Sequence, residues 1–298
     1  MSRILVTGIT SPLGQAVGRK LQAEGHRVVG TLRSSRISVA GLPADELVAL
    51  DLENKSSFTN INGGFDAFVH VAAASEGTAE ELMTITGLGT LHLVERAKLL
   101  SVNRIIHISG MDAFGSISVP VVNELTSPWY QNPYGVAKWV AESYVAGAEK
   151  TVDGVSIRCP AIAGPKHSRH FLARTLTQMR ERQSKITVSN PDFLFNNIVH
   201  EDTVADFVHK LISLPFLPKV QSLTIGSKDP IPFRTIIEYL STITSFDGSV
   251  KWIQSASPPF SIDYTTAAKF GFTPLSVKST IEIWATEVFE TKRQKGEN

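Results

Sequence analysis

The stretch Ile4-Leu5-Val6-Thr7-Gly8-Ile9-Thr10-Ser11-Pro12-Leu13-Gly14 decides the fold. Its first three residues form a short aliphatic run of the kind buried in a parallel sheet, and Thr7-Gly8 closes it. Gly8 can take the tight turn that leaves a strand. Gly14 lets the following helix pack close to the sheet. Ser11 is a natural N-cap and Pro12 a natural first helical residue, so a helix is expected over about 12–24. The unpaired amides of its first turn, and its dipole, then face the turn that holds Thr10, Ser11, Pro12 and Leu13. Such a site suits a pyrophosphate. At the head of a strand–helix–strand pattern it points to a bound dinucleotide.

Outward from that turn the pattern repeats. Short apolar runs at about 27–32, 47–50, 66–71, 104–108 and 155–158 read as strands. Longer patterns at 79–100 and 134–148 read as helices. In the first of these helices Leu82, Leu88, Leu91 and Val94 recur at helical spacing. The alternation predicts an α/β fold with a Rossmann-type, doubly wound parallel sheet, whose ligands bind beyond the carboxyl ends of the strands. After Pro160 the pattern changes. A loop is expected to about Arg169, then helices over 171–182, 203–214 and 277–290, with short strands near Ile198 and Leu223. This divides the chain into a dinucleotide-binding domain, 1–165, and a smaller α/β substrate-binding part, 166–298, interleaved with the first. The tail 292–298 has no apolar residue and is expected to fray.

Composition narrows the function. Lys and Arg total 29 against 28 Asp and Glu, so no chain-wide charge grips nucleic acid or an anionic membrane. The single cysteine, Cys159, excludes an internal disulfide framework and a multi-cysteine zinc site, so no metal is expected. No apolar run approaches the ~20 residues that span a bilayer. The first strand begins at Arg3, which leaves no room for a cleavable leader, and a reducing cytoplasm is the expected setting.

Two constellations carry chemistry. The second strand ends Gly30-Thr31-Leu32-Arg33, with no acid before Asp45 to hold a ribose 2′-hydroxyl. Arg33, with Ser34, Ser35 and Arg36, instead offers cations and hydroxyls to a 2′-phosphate, which favours NADP while leaving NAD open. Tyr134 and Lys138 stand one helical turn apart and share a face. A free phenol titrates near 10, and a nearby ammonium favours its ionised form. Tyr134 could then give a proton to a carbonyl oxygen as hydride arrives, or take one from an alcohol as hydride leaves. Of the five tyrosines only this one has lysine four residues on.

Together these residues resemble the extended short-chain dehydrogenase/reductases, the NAD-dependent epimerase/dehydratase family, over nearly the whole chain. Thr7 to Gly14 resembles the family's glycine turn, with Ser11 in place of its middle glycine. The resemblance implies that Asp51-Leu52 contacts adenine, and that Val71-Ala72-Ala73 after His70 lies beside the cofactor. Pro133 to Lys138, with Glu142, resembles the start of the catalytic helix, giving Tyr134 and Lys138 catalytic and cofactor-binding roles. Arg158-Cys159-Pro160 with Gly164-Pro165 resembles a segment whose proline, Pro160, touches the cofactor. Asn197 to Asp202 resembles the substrate side, with Asn197 as a substrate contact, and Lys269 to Pro274 resembles a C-terminal motif. Thr86 stands where an asparagine is usual. The catalytic hydroxyl falls on Ser109 when counted from the strand, but on Gly110 when counted back from Phe114-Gly115. Ser109 is taken as catalytic and substrate-binding.

The resemblance implies an oxidoreductase acting on a nucleotide-linked sugar, foremost a 4-ketoreductase. Three alternatives stand beside it: a 4-epimerase that recycles NAD, an NADPH-dependent reductase of a non-nucleotide ketone or aldehyde, and an NADP-binding regulator without chemistry. A 4,6-dehydratase fits less well, since Asp112 is the only acid near the strand end. Lys166, His167 and Arg169 are placed to grip a substrate diphosphate, with Lys166 and Arg169 named as substrate contacts. His167 and His170 lack a third metal ligand and read as loop residues. His200 reads as a structural hydrogen-bonding residue, and Trp129 as packing or pocket lining. The resemblance also implies a homodimer.

Overall fold

A computed structural model describes residues 1–33, 40–129, 132–148, 151–255 and 258–294. Its centre is a sheet of seven parallel strands: β1 (Arg3–Thr7), β2 (Arg27–Leu32), β3 (Glu46–Ala49), β4 (Ala67–His70), β5 (Arg104–Gly110), β6 (Asp153–Cys159) and β7 (Ser222–Thr224). Their spatial order is β3-β2-β1-β4-β5-β6-β7. The order reverses between β1 and β4, which opens a crevice at their carboxyl ends. Strands buried on both faces explain the unbroken apolar runs.

Helix α1 (Pro12–Ala23) and helix α6 (Glu201–Ser213) cover one face. There Leu13, Val17, Leu21, Phe207 and Leu211 pack with Ile4, Val6, Ile106 and Ile157. The other face is covered by α3 (Gly89–Leu99) and α4 (Pro133–Ala146), through Leu93, Val94, Ala97 and Val145 on Leu5, Phe68 and Ile105. The helical stretch before α3 is α2 (Ala79–Leu82), joined to it by the π-helical turn Met83–Leu88. A third core lies beyond the sheet, between α5 (Phe171–Arg180), α7 (Phe233–Thr244) and α9 (Val277–Gln294), around Leu176, Met179, Ile236, Leu240 and the fully buried Trp284. The short α8 (Thr265–Lys269) leads into α9. The sheet's last strand, β7, comes from the second half of the chain and pairs with β6.

Several expectations shift. β5 runs two residues past 108, because Ser109 and Gly110 continue its pairing opposite Arg158 and Cys159. The segment after Pro160 is not all loop, since Ala161–Ala163 pairs in parallel with Ile198–His200. The sequence reading missed α7 and the parallel pair Lys185–Ser189 with Ser249–Ile253. The alternation Lys185-Ile-Thr-Val-Ser, with Ile186 and Val188 buried, was the available signal. α9 carries helix to Gln294, three residues into the stretch expected to fray, and 295–298 lie outside the described residues. No helix among the described residues is long and apolar enough to cross a membrane.

Candidate active site

The turn after β1 is held by its own hydroxyl. Ser11 Oγ donates to Gly8 O at 2.8 Å and accepts from Gly14 N at 3.0 Å, so it caps α1. The hydroxyl is thereby spent inside the turn. Gly8 has φ +71°, and a Cβ there would come within 3.0 Å of Ala72 N. A Cβ on Gly14 would collide with Gly8 O. Both positions must be glycine for the turn to lie this close to the end of β4.

Beside the turn is a cavity of about 310 Å³. Gly8, Thr10, Ser11, Arg33, Asp51, Leu52, Val71, Ala72 and Ala73, all expected at a cofactor, line it together. Pro12, Leu13 and Gly14 instead build the turn from behind, Leu13 by anchoring α1 in the core. Thr31, Leu50, Glu53 and Ile85 also line the cavity and were missed. The first two follow from the rule that ligands sit at strand ends. Ile85 lies in the π-helical turn, and no sequence signal marks it. Arg33 is exposed at this cavity, whereas Ser34, Ser35 and Arg36 lie outside the described residues.

A buried polar chain fixes the cavity's far wall. Thr7 Oγ1 accepts from the amides of Val71 and Ala72, at 3.1 and 3.2 Å. It lies 2.7 Å from His70 Nδ1, and His70 Nε2 lies 2.9 Å from Thr90 Oγ1. Thr90 donates to Thr86 O, so its oxygen accepts from His70, and Thr7 donates to Nδ1. Thr86 Oγ1 accepts from Ala74 N at 3.1 Å. Burial pulls the His70 pKa down to about 3, so the ring stays neutral as this chain requires. Thr86, the departure from the family's asparagine, thus ties the π-helical turn to the loop after β4.

Asn132 caps α4 by accepting from Gly135 N at 2.7 Å, which sets Tyr134 at the helix start and Lys138 one turn on. Lys138 is 4% exposed. Its Nζ donates to Ile108 O at 2.9 Å and stands 5.8 Å from the centre of the Tyr134 ring. Burial pulls Lys138 down to about 8 against the opposing pull of Glu142. Burial, then the negative charge of Asp112, pushes Tyr134 up to about 12. The lysine was expected to favour the phenolate. In the chain without cofactor, burial and Asp112 outweigh it, and Tyr134 is a protonated phenol at neutral pH. Glu142 itself is fully buried and paired with Arg158, at 2.6 Å from Nη2.

A larger cavity, about 810 Å³, opens beside Met111, Asp112, Cys159 and Pro160. Its outer walls carry Arg169, Arg174, Gln178, Asn190 and Asn197, with Phe171, Phe193, Phe195 and Phe233. Asn197 Oδ1 is buried there without a hydrogen-bond partner among the described residues. Arg169 also reaches Ser75 Oγ at 2.7 Å. Arg174 and Gln178, one and two turns into α5, were not read from the sequence. Pro160 lines this cavity and not the smaller one. Lys166 is not in its wall and bonds Gln15 Oε1 at 3.2 Å. Ser109 is also absent from the wall, and its Oγ is buried with no hydrogen-bond partner among the described residues.

The histidines do structural work. His167 pairs with Glu201 at 2.8 Å, and His170 caps α5 by accepting from Ala173 N. His200 Nδ1 accepts from Asp202 N, and its Nε2 meets Glu287 at 3.0 Å, which ties α6 to α9. Trp129 is bonded through its backbone to Phe114 and Ser116 and lies outside the cavity wall.

The model of the NAD dependent epimerase/dehydratase family matches residues 4–211, from β1 into α6. The chain belongs to that family. It is 25% identical over 266 residues to the 2-alkyl-3-oxoalkanoate reductase of Shewanella oneidensis, covering 83% of this chain and 67% of the relative. It is 28% identical over 173 residues to sterol demethylase protein B of Methylococcus capsulatus, covering 54% of this chain and about half, 52%, of that relative. Among solved structures, UDP-glucuronic acid 4-epimerase from Bacillus cereus in complex with NAD superposes with a TM-score of 0.78. That alignment covers 97% of this chain and 99% of the other at 20% identity, a likeness of fold. Family membership makes the chain an NAD-dependent enzyme. The glycine cradle against Ala72 and the cavity beside it are the features in this chain that such a dinucleotide fits.

Proposed function

We propose that the enzyme reduces the carbonyl of a nucleotide-linked sugar, foremost a 4-keto sugar, with NADPH preferred over NADH. The observation that carries this reading is the larger cavity. Its 810 Å³ exceed the need of a bare short-chain ketone and lie within the range of sites for large ligands. In its wall stand Cys159 and Asp112, whose negative charge acts on Tyr134. At its outer end stand Arg169 and Arg174 for phosphates, and phenylalanines for a base. Arg33 at the smaller cavity supports NADPH.

When bound, the dinucleotide supplies hydride to the carbonyl carbon. Gly8, Thr10, Asp51, Leu52 and Ala72 would hold its adenosine half, and Lys138 its nicotinamide ribose. Tyr134 donates its phenolic proton to the carbonyl oxygen, and its protonated state at neutral pH is the one a reduction consumes. Asn197, with its orphaned carbonyl oxygen, accepts from a substrate hydroxyl or amide. A homodimer through α3 and α4 is part of the same reading, supported by the exposed Leu88, Leu99 and Trp139, and light scattering tests it.

The experiment is NADPH consumption, with NADH beside it, on a panel of nucleotide-linked 4-keto sugars. Stoichiometric loss with one member is the expected result. Tight cofactor binding without net loss on any member would instead favour an epimerase that returns its hydride. One observation favours a second substrate class. The phenylalanine wall also suits an alkyl chain, as in the oxoalkanoate reductase relative, so a 2-alkyl-3-oxoalkanoate belongs in the panel.

A further inference from the structure

The two residues that follow β5, Met111 and Asp112, line the larger cavity. Successive residues of a strand point to opposite faces. Ser109 lies opposite Arg158 in register, and Arg158 turns to Glu142 of α4. Ser109 therefore points to the α4 face, where its Oγ is buried. Gly110 lies opposite Cys159, a wall residue of the cavity. A Cβ on Gly110 would have only ordinary contacts, the nearest being Asp112 Oδ2 at 3.7 Å and Cys159 O at 3.9 Å. The backbone there is extended, at φ −142°, so any residue could occupy it. The space a hydroxyl side chain would take is open, and the polar atom beside it is a carboxylate oxygen. Asp112 is exposed in the cavity wall, and its carboxylate has no hydrogen bond or ion pair among the described residues.

We propose that Asp112 reads the substrate next to its reacting carbonyl, accepting a hydrogen bond from a hydroxyl there and excluding a carboxylate. A serine at this place could donate to the carbonyl oxygen. An ionised carboxylate can only accept. It suits a carbon chain whose neighbours to the ketone bear hydroxyls, as in a sugar. It repels a 3-oxo acid, whose own carboxylate lies two carbons from the carbonyl. Gly110 has no hydroxyl to offer, so donation to the carbonyl oxygen falls to Tyr134, which burial and then the Asp112 charge keep protonated. This inference rests on the carbonyl-reduction reading and names the substrate within it.

The test compares wild type with Asp112→Asn and Asp112→Ser on two ketones, a UDP-linked 4-keto-6-deoxy sugar and a 2-alkyl-3-oxoalkanoate, by NADPH oxidation. Because Asp112 is exposed and unpaired among the described residues, both variants should fold, and their melting curves check it. Wild type should prefer the keto sugar. Removing the charge should shift the kcat/KM ratio toward the oxoalkanoate by roughly 10-fold or more, the scale of one close charge contact. NADPH oxidation with an unchanged ratio in both variants overturns the role of Asp112 and leaves the reduction reading intact. Absence of oxidation with both ketones in all three proteins overturns the reduction reading and this inference with it.

Discussion

The two cavities lie at the carboxyl ends of the same sheet, the smaller at β1 to β4 and the larger at β5 and β6, but are built from different material. The smaller is set by a tight backbone frame that carries Arg33, Leu52 and Ile85. Its turn, its strand ends and its two required glycines leave little room for variation, and Ser11 and His70 are spent holding the frame. The larger is walled by side chains from segments spread between Met111 and Phe260. A frame of backbone recognises what every substrate of a family shares. A wall of side chains decides what only one of them has. On the proposed function the first cavity serves the cofactor and the second substrate choice, and that division can be broken experimentally.

The largest effect should come from Tyr134→Phe. Turnover should fall by roughly 100- to 10,000-fold, the span of general acid catalysis, while NADPH affinity by fluorescence titration stays within a few-fold. Full activity in this variant would remove Tyr134 from the chemistry. Gly14→Ala should come next. Its methyl must displace Gly8 O, at an expected cost of about 1–3 kcal/mol in urea melts and a clear loss of cofactor binding. An unchanged cofactor affinity would show that the frame tolerates more than its contacts suggest.

Arg33→Ala should weaken NADPH by roughly 10-fold, the worth of a charge-assisted contact, and leave NADH nearly unchanged. Equal weakening of both would cancel the 2′-phosphate assignment. A subtler effect concerns Lys138. The folded ammonium titrates near 8 and the unfolded one near 10.5. Between those values the unfolded chain holds more protons, so this group's contribution to stability rises with pH. Lys138→Met should therefore be more stable than wild type near neutral pH, and the gap should close as pH climbs from about 8 to about 10. A gap independent of pH would mean that folding leaves the lysine's pKa unshifted. Lys166→Ala should do least. Its bond to Gln15 lies outside the larger cavity, so KM should move less than about 2-fold, as exposed polar contacts do.

The same contrast explains what could be read from sequence. The phosphate turn was legible because Gly8, Ser11, Pro12 and Gly14 are neighbours in sequence and each does a local job. Asp51-Leu52 and Val71 to Ala73 followed because strand ends repeat a pattern. Tyr134 and Lys138 needed only one helical turn. The larger cavity was legible at single points, Arg169 and Asn197, and silent elsewhere. Arg174, Gln178 and Phe193 meet only after α5 and the strand Lys185–Ser189 have folded against each other, and no local signal announces that. At Ser109 and Gly110, counting from either side left two registers open, and only the pairing with Arg158 and Cys159 separates the two faces.

One feature of the sheet bears on how the chain is made. β7 belongs to the second half but completes the sheet against β6. During synthesis β6 leaves the ribosome roughly 60 residues before its partner, some ~3–12 s at typical elongation rates. For that interval the nascent sheet has an open hydrogen-bonding edge, the kind that recruits other strands. A chain stopped near residue 165 would keep that edge for good. Truncation there should therefore yield an aggregating fragment and not a small folded protein.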